Sequence, residues 1–522
     1  MKLESYVEGR WHAGSGAGRP FADPVNGELL GHVDGTGIDG AAALAYARDV
    51  GGPALRALTF AERGALIRAI ADTLGANRDA YMEIARRNSG NTAFDASVDI
   101  DGAIATLKVY ARYGKELGDT HSIMEQGTVQ LAKEDVFRAG HIWTTRPGAG
   151  LHINAFNFPA WGVWEKIAVS LLAGVPALSK PASATAWLSC QMVRDVVEAG
   201  VLPNGAISLV CGNGDGLLEG LTAFDGLAFT GSAATAHTLR RHPNILIAAP
   251  RFNVEADSVN GTILGPDARP GDAVFDLLVR ELVSAFSVKA GQMCTNIRRI
   301  MVPAERLKDV REAVAAKLDN IVIGDPAVEG VRMGPLVSKS QQKSAFDGLE
   351  RLKSDARVIT GGGLPERIQG GDLDKGCFVA PTLLECGDPD GARAVHEIEV
   401  FGPVATLIPY RDQAHAIALA NRGGGSLAIS LFSNDADFAA QTAVGIAPSH
   451  GRLMVVDESV GKNHTGHQYA LAHCVHGGPG RAGDGEELGG LRGLRFYMQR
   501  SAVQGSPALL ERLAGNAAPA CL

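Results

Sequence analysis

The sequence predicts an α/β protein made of two doubly wound α/β domains plus a bridging β-hairpin. Three observations carry this. From residue 147 onward, short apolar runs at 151–156, 177–179, 207–210 and 227–230 alternate with helix-like stretches, the rhythm of a parallel sheet wrapped by helices. A second series follows Glu255, with strand candidates at 299–302, 358–360, 404–408 and 427–432. Between residues 127 and 146 the pattern changes to two extended runs, around 129–131 and 141–144, joined by a charged segment, which reads as a projecting hairpin.

The remaining elements fit this frame. At roughly 150 residues per domain, 522 residues allow two or three domains. The expected division is 1–126 with 147–255, then 256–455, with 127–146 and 485–522 as bridging segments that join subunits. Residues 59–87 read as a helix, because Thr59 and Glu62 form a capping box and Leu66, Ile67, Ile70 and Leu74 recur at helical spacing. Another helix-like run covers 273–288. The glycine-rich stretch 477–493 is expected to be an ordered loop, with a flexible lid as the rival reading. No internal repeat is present.

Composition narrows the function. A net charge of −8 provides no general field for holding nucleic acid. With 46% hydrophobic and 20% charged residues, most of the chain should be folded. The longest apolar run, 167–178, is interrupted by Ser170, Gly174 and Pro176 and falls short of the roughly 20 residues of a membrane span. The first residues are acidic where a secretory signal would be apolar, so a cytoplasmic protein is expected. Seven cysteines, at 190, 211, 294, 377, 386, 474 and 521, have no disulfide or zinc spacing; no metal is expected.

Any one of these cysteines is more often an inert buried side chain than a nucleophile. Cys294, in Gly-Gln-Met-Cys-Thr at 291–295, differs in the company available to it. A useful thiolate needs donors for the oxyanion it creates and a base for a later water step. Asn157, between an apolar strand and Pro159, is a candidate donor, although asparagine there is often only a turn former. Glu255, entering from an apolar strand, is a candidate base whose pKa burial would raise towards neutrality; a solvated strand end is the alternative. Lys180 closes a strand where doubly wound sheets bind ligands. Gly-Asn-Gly-Asp at 212–215 and Phe-Thr-Gly-Ser at 229–232 place glycines and hydroxyls where helix N-termini favour phosphate. There is no G-x-G-x-x-G fingerprint.

The order of these motifs resembles the aldehyde dehydrogenase superfamily: Asn-Phe-Pro at 157–159, Lys-Pro-Ala at 180–182, Phe-Thr-Gly-Ser at 229–232, Glu255, Gly-Gln-Met-Cys at 291–294 and Glu-Val-Phe-Gly-Pro at 399–403. Supporting pieces are Ile-Gly-Asp-Pro at 323–326, Gly-Pro at 334–335 and Phe-Val-Ala-Pro-Thr at 378–382. The resemblance covers nearly the whole chain. It implies a cofactor-binding domain (1–126 and 147–255), a catalytic domain (256–455) and a homodimer. Cys294 would be the nucleophile, Asn157 the oxyanion donor and Glu255 the deacylating base. A nicotinamide dinucleotide would meet Ile153, Ala155 and Phe156, then Lys180, Ser183 and Gly214, then Phe229, Thr230, Gly231, Ser232 and Ala256, with Glu399 and Phe401 at the nicotinamide riboside.

Three departures from the family pattern stand out. Ala-Asp-Ser at 256–258 replaces the usual Leu-Gly-Gly, and 39 residues separate Glu255 from Cys294, slightly more than is common. The usual C-terminal Gly-x-Lys-x-Ser-Gly gives way to the segment 476–487, which resembles the dehydrogenase part of the ring-cleavage enzyme of phenylacetate degradation. That resemblance implies a stand-alone dehydrogenase for a small-molecule aldehyde carried on coenzyme A, of the 3,4-dehydroadipyl-CoA semialdehyde type. The cofactor expectation is NADP rather than NAD, because Ser183 stands where NAD-preferring members often carry a carboxylate. Rival readings are a CoA-acylating dehydrogenase, which needs no water-activating Glu255, and a silent dinucleotide-binding protein of the same fold.

Overall fold

The computed structural model describes residues 1–520 and 522; Cys521 lies outside the described residues. The first βα series forms five parallel strands in the order Arg251–Glu255, Gly226–Thr230, Gly150–Ile153, Ala177–Lys180, Ile207–Leu209. The N-terminal residues complete this nine-stranded sheet: Lys2–Val7 pairs antiparallel with Ile207–Leu209 and parallel with Leu29–Val33, which carries Arg19–Ala22, while Arg10–Ala13 pairs with Lys2–Val7. Chain order runs outward in both directions from Gly150–Ile153. The crevice at the carboxyl ends of that strand and of Gly226–Thr230 is therefore the switch point, where such sheets bind ligands.

The second series forms a seven-stranded sheet in the order Ala356–Thr360, Thr382–Cys386, Val404–Tyr410, Arg299–Pro303, Gly261–Leu264, Ser426–Phe432, His450–Val456. Only Ala356–Thr360 is antiparallel. The five inner strands are buried almost without break, as strands covered on both faces should be, while the edge strands Ala356–Thr360 and His450–Val456 are half-buried. The chain is thus the two-sheet α/β protein that its apolar rhythm implies.

Three expectations change in detail. The helix at 59–87 is two helices, Phe60–Ala76 and Arg78–Ser89, because Asn77 leaves helical geometry and its side-chain amide donates back to the Thr73 carbonyl at 3.1 Å; the Thr59–Glu62 capping box is present. The segment 127–146 is not a free hairpin. Val129–Gln130 does pair with Arg138–Thr145, but the latter is an inner strand of a five-stranded sheet with Ser122–Met124, Ala518–Pro519 and Met498–Gly505. Residues 477–493 form neither a loop nor a lid throughout: Val475–Gly478 and Gly485–Leu488 make a two-stranded ribbon followed by the helical turn Gly490–Phe496. No helix of the described residues is long and apolar enough to cross a membrane.

Candidate active site

The loop that carries Cys294 is held by its backbone. Helix Ala273–Ser287 ends in a tight turn in which Lys289, Ala290 and Gly291 all have positive φ, near +50°, +49° and +69°. At Gly291 a Cβ would lie 2.3 Å from the Gly402 carbonyl oxygen, so only glycine fits. Asp95 accepts the Lys289 backbone N–H at 2.8 Å, and the Lys289 ammonium lies 4.8 Å from the Phe158 ring centroid. Asn260 donates to the Cys294 carbonyl at 2.8 Å, Thr295 donates to the Gln468 carbonyl at 2.6 Å, and the Arg298 guanidinium donates to the carbonyls of Gly291 and Gly402. The thiol is therefore presented from a fixed turn.

Glu255 ends the strand Arg251–Glu255 and is 3% exposed. Its Oε2 lies 3.0 Å from Nε2 of His476, and the same nitrogen lies 3.9 Å from Cys294 Sγ. The sequence reading places the Glu255 carboxyl near neutrality; the structure reverses that. Burial opposes its charge, but His476, Lys166 and the Cys294 thiol outweigh burial and hold the carboxyl down at about 2. Burial, and then the charge of Glu255, push the Cys294 thiol well above its usual value. The resting pair is a carboxylate beside a protonated thiol.

Cys294 stands where three spaces meet. On one side is a cleft of about 500 Å³ at the carboxyl ends of the first sheet. On the other is a largely apolar tunnel of about 530 Å³, between helix Ala93–Leu117 and residues 465–476, with Phe158, Trp161 and Leu471 in its wall. Between them a small space is lined by Asn154, Asn157, Glu165, Lys166, Glu255 and Cys294. Asn157 thus shares a space with Cys294.

Of the residues assigned to a dinucleotide, Ile153, Ala155, Phe156, Lys180, Phe229, Thr230, Gly231, Ser232, Ala256, Glu399 and Phe401 line the cleft. Ser183 and Gly214 do not. Ser183 opens the turn Ser183–Thr185 one residue past the cleft-lining Ala182, and Gly214 packs against the stem of Lys180, where a Cβ would lie 3.0 Å from its Cδ. The cleft has the chemistry to hold a dinucleotide. Thr230 Oγ1 and Glu399 Oε1 are buried without partners, and Ser232 caps helix Ala233–Arg240, whose N-terminus faces the cleft. The unusual Ala-Asp-Ser after Glu255 has a local role: Asp257 accepts the Ala233 N–H at 2.9 Å and the Ser258 N–H donates to Glu399 at 3.0 Å.

The sequence reading did not single out four residues of this site: His476, Glu165, Lys166 and Glu487. Lys166 sits between Glu165 at 2.6 Å and Glu487 at 2.9 Å, all buried, and Asn253 donates to Glu487 at 3.1 Å. A signal existed, since Glu-Lys stands inside the otherwise apolar helix Trp161–Ala173 and buried charges require partners. His476 and Glu487 lie in the aberrant tail, on paired strands at register partners His476↔Glu487.

The match of the chain to known proteins agrees with this geometry. The model of the aldehyde dehydrogenase family matches residues 11–503.

The chain belongs to the aldehyde dehydrogenase family.

The enzyme is 53% identical over 479 residues to 3,4-dehydroadipyl-CoA semialdehyde dehydrogenase of Aromatoleum evansii, covering 92% of this chain and 93% of that one. It is 48% identical over 181 residues to protein MaoC of Klebsiella aerogenes, covering 34% of this chain and 52% of that protein. Among solved structures, it superposes on betaine aldehyde dehydrogenase of Staphylococcus aureus in complex with NAD+ with a TM-score of 0.82, at 23% identity, over 96% of this chain and 95% of the other.

Proposed function

We propose that the enzyme oxidises an aldehyde carried on coenzyme A to the free carboxylic acid, with NADP as the preferred acceptor. The observation that carries this is the position of Cys294 at the junction of the cleft at the carboxyl ends of the first sheet and a largely apolar tunnel. A dinucleotide in one and an acyl chain in the other would bring their reactive ends to one sulfur. The 53% identical relative is named for a CoA semialdehyde, and the solved neighbour holds NAD+.

In this reading the Cys294 thiol gives its proton to solvent water, and the thiolate Sγ attacks the aldehyde carbon. Asn157 and the Cys294 backbone N–H donate to the resulting oxyanion. The nicotinamide, when bound, supplies the hydride acceptor, with Glu399 and Phe401 against its riboside. A thioester then remains on Cys294. Glu255, ionised, takes a proton from a water molecule whose oxygen attacks the thioester carbon, and the Cys294 thiolate leaves. Lys166, clamped between Glu165 and Glu487, holds positive charge near Glu255 throughout.

NADP preference rests on Lys180 in the cleft wall and on an uncharged Ser183 one residue past the cleft-lining Ala182, where a 2′-phosphate would find a cation and no opposing carboxylate. The test compares kcat/KM for a CoA-linked semialdehyde and the same free aldehyde, with NADP and with NAD. The expected result is a strong preference for the CoA-linked substrate and for NADP, with Ser183→Glu moving preference towards NAD. Equal values for free and CoA-linked aldehyde would refute the substrate assignment, and equal or better values with NAD would refute the cofactor. An acyl-CoA product formed only when free CoA is added would favour the acylating rival.

A further inference from the structure

The tail histidine does more than fill space beside the nucleophile. His476 is 2% exposed and Glu255 3%, and they arrive from different parts of the chain, the ribbon strand Val475–Gly478 and the strand Arg251–Glu255. Cys294 comes from a third element, the turn after helix Ala273–Ser287. One ligand atom from each, the imidazole Nε2, a carboxylate oxygen and the thiol sulfur, lie within 4.8 Å of one another. The second oxygen of Glu255, Oε1, is buried without a hydrogen-bond partner.

We propose that Glu255, His476 and Cys294 form a binding site for a borderline-soft divalent cation of the Zn²⁺ class, and that its occupancy reversibly blocks the nucleophile. A nitrogen, an oxygen and a sulfur are the donor set that zinc selects over magnesium or calcium. Tetrahedral zinc with ordinary bond lengths needs neighbouring ligand atoms roughly 3.3–3.6 Å apart. Two of the three observed separations, 3.0 Å and 3.9 Å, bracket that range, and the third, from Glu255 to Cys294, lies within 4.8 Å, so a metal would draw the three atoms together. The fourth position would open to the tunnel or the cleft, because Cys294 borders both. The charges around the site permit a cation: Lys166 is already paired with Glu165 and Glu487, and Arg298 faces Glu399 at 3.8 Å. A Trp161 ring against His476, with centroids 5.4 Å apart, fixes the imidazole. A metal held here would occupy the thiolate and the carboxylate together, and neither could then act on an aldehyde.

The test uses the full chain, stripped of metal, with Co²⁺ as a spectroscopic probe and Zn²⁺ as competitor, and it needs no turnover. One Co²⁺ per chain should bind with a thiolate-to-cobalt charge-transfer band, Zn²⁺ should displace it, and Zn²⁺ should protect Cys294 from alkylation as read by peptide mass. His476→Phe keeps a ring against Trp161 but removes the ligand nitrogen, and should weaken binding by at least about 100-fold, more than loss of an outer-shell partner would. Glu255→Gln should weaken it as well, and retained NADP binding reports that each variant is folded. In the intact enzyme, Zn²⁺ inhibition should be competitive with aldehyde and reversed by chelator. A cobalt band that persists in both variants, or that disappears in Cys474→Ser, would place the metal on the surface at Cys474 and overturn the proposal. Absence of stoichiometric binding would overturn it equally, and a protein that binds Zn²⁺ here yet oxidises no aldehyde would refute only the functional reading above.

Discussion

At the scale of single residues, the proposed mechanism depends on two groups that hold each other in opposite protonation states. Glu255 is ionised because His476 and Lys166 outweigh its burial, and its charge helps keep the Cys294 thiol protonated. Cys294→Ala should abolish turnover and leave NADP binding measurable. Glu255→Gln keeps the shape but removes both the base and the charge that holds the thiol up, so acylation should survive while hydrolysis fails. The expected outcome is an NADPH burst near one per site, a thioester mass increment on Cys294, and steady-state turnover lower by on the order of 10²–10⁴-fold. A variant with neither burst nor mass increment would show that Glu255 is already required for thiol activation.

Glu399 gives a second residue-scale outcome, in stability. Burial is the main cause that raises its carboxyl to about 7, against the opposing pull of Arg298. A raised carboxyl favours the folded state fully below its ordinary value near 4.5, and this contribution is lost as pH rises through about 7. Glu399→Gln should therefore gain thermal stability relative to the parent between pH 5 and pH 8, by up to about 3 kcal/mol. Melting curves of the two proteins that stay parallel across that range would refute the assignment.

At the scale of elements, the loop that carries Cys294 is a turn in the left-handed region, tied to two other parts of the molecule. Gly291, at φ +69° with the Gly402 carbonyl where a Cβ would be, cannot be replaced without moving the chain. Gly291→Ala should cost at least about 2 kcal/mol in urea unfolding. It should also slow alkylation of Cys294, because the same turn aims the thiol. The capping box at Thr59–Glu62 and the strand rhythm of both sheets were legible in the sequence, since each depends on neighbours within a few residues. The break at Asn77 was not, because the periodicity of Leu66, Ile67, Ile70 and Leu74 continues up to it and only the side-chain bond to Thr73 reveals the interruption.

At the scale of the whole molecule, the five-stranded sheet built on Arg138–Thr145 leaves an edge open to pairing. Met498–Gly505 is its outer strand, largely exposed, and Val129 and Val136 leave apolar surface nearby. An open edge with apolar flanks favours pairing with a second copy, and a two-fold dimer is the smallest closed arrangement. Sedimentation at micromolar concentration should give a species of at least twice 54.5 kDa; a monomer alone would refute this.

The sequence by itself determined the two α/β halves and the motif order, and from that order it singled out Cys294, Glu255 and Asn157 as the proposed catalytic residues, because strand periodicity and short motifs are local properties of a chain. Only the tertiary structure decided what surrounds them. His476 and Glu487 face the site because Val475–Gly478 and Gly485–Leu488 fold back beside the strand that ends in Glu255, more than 200 residues earlier. Glu165 and Lys166, hidden in an apolar helix, meet Glu487 across 321 residues of chain. The protonation of Glu255 follows from those distant charges rather than from its own neighbours, because electrostatic energy depends on separation in space and on burial.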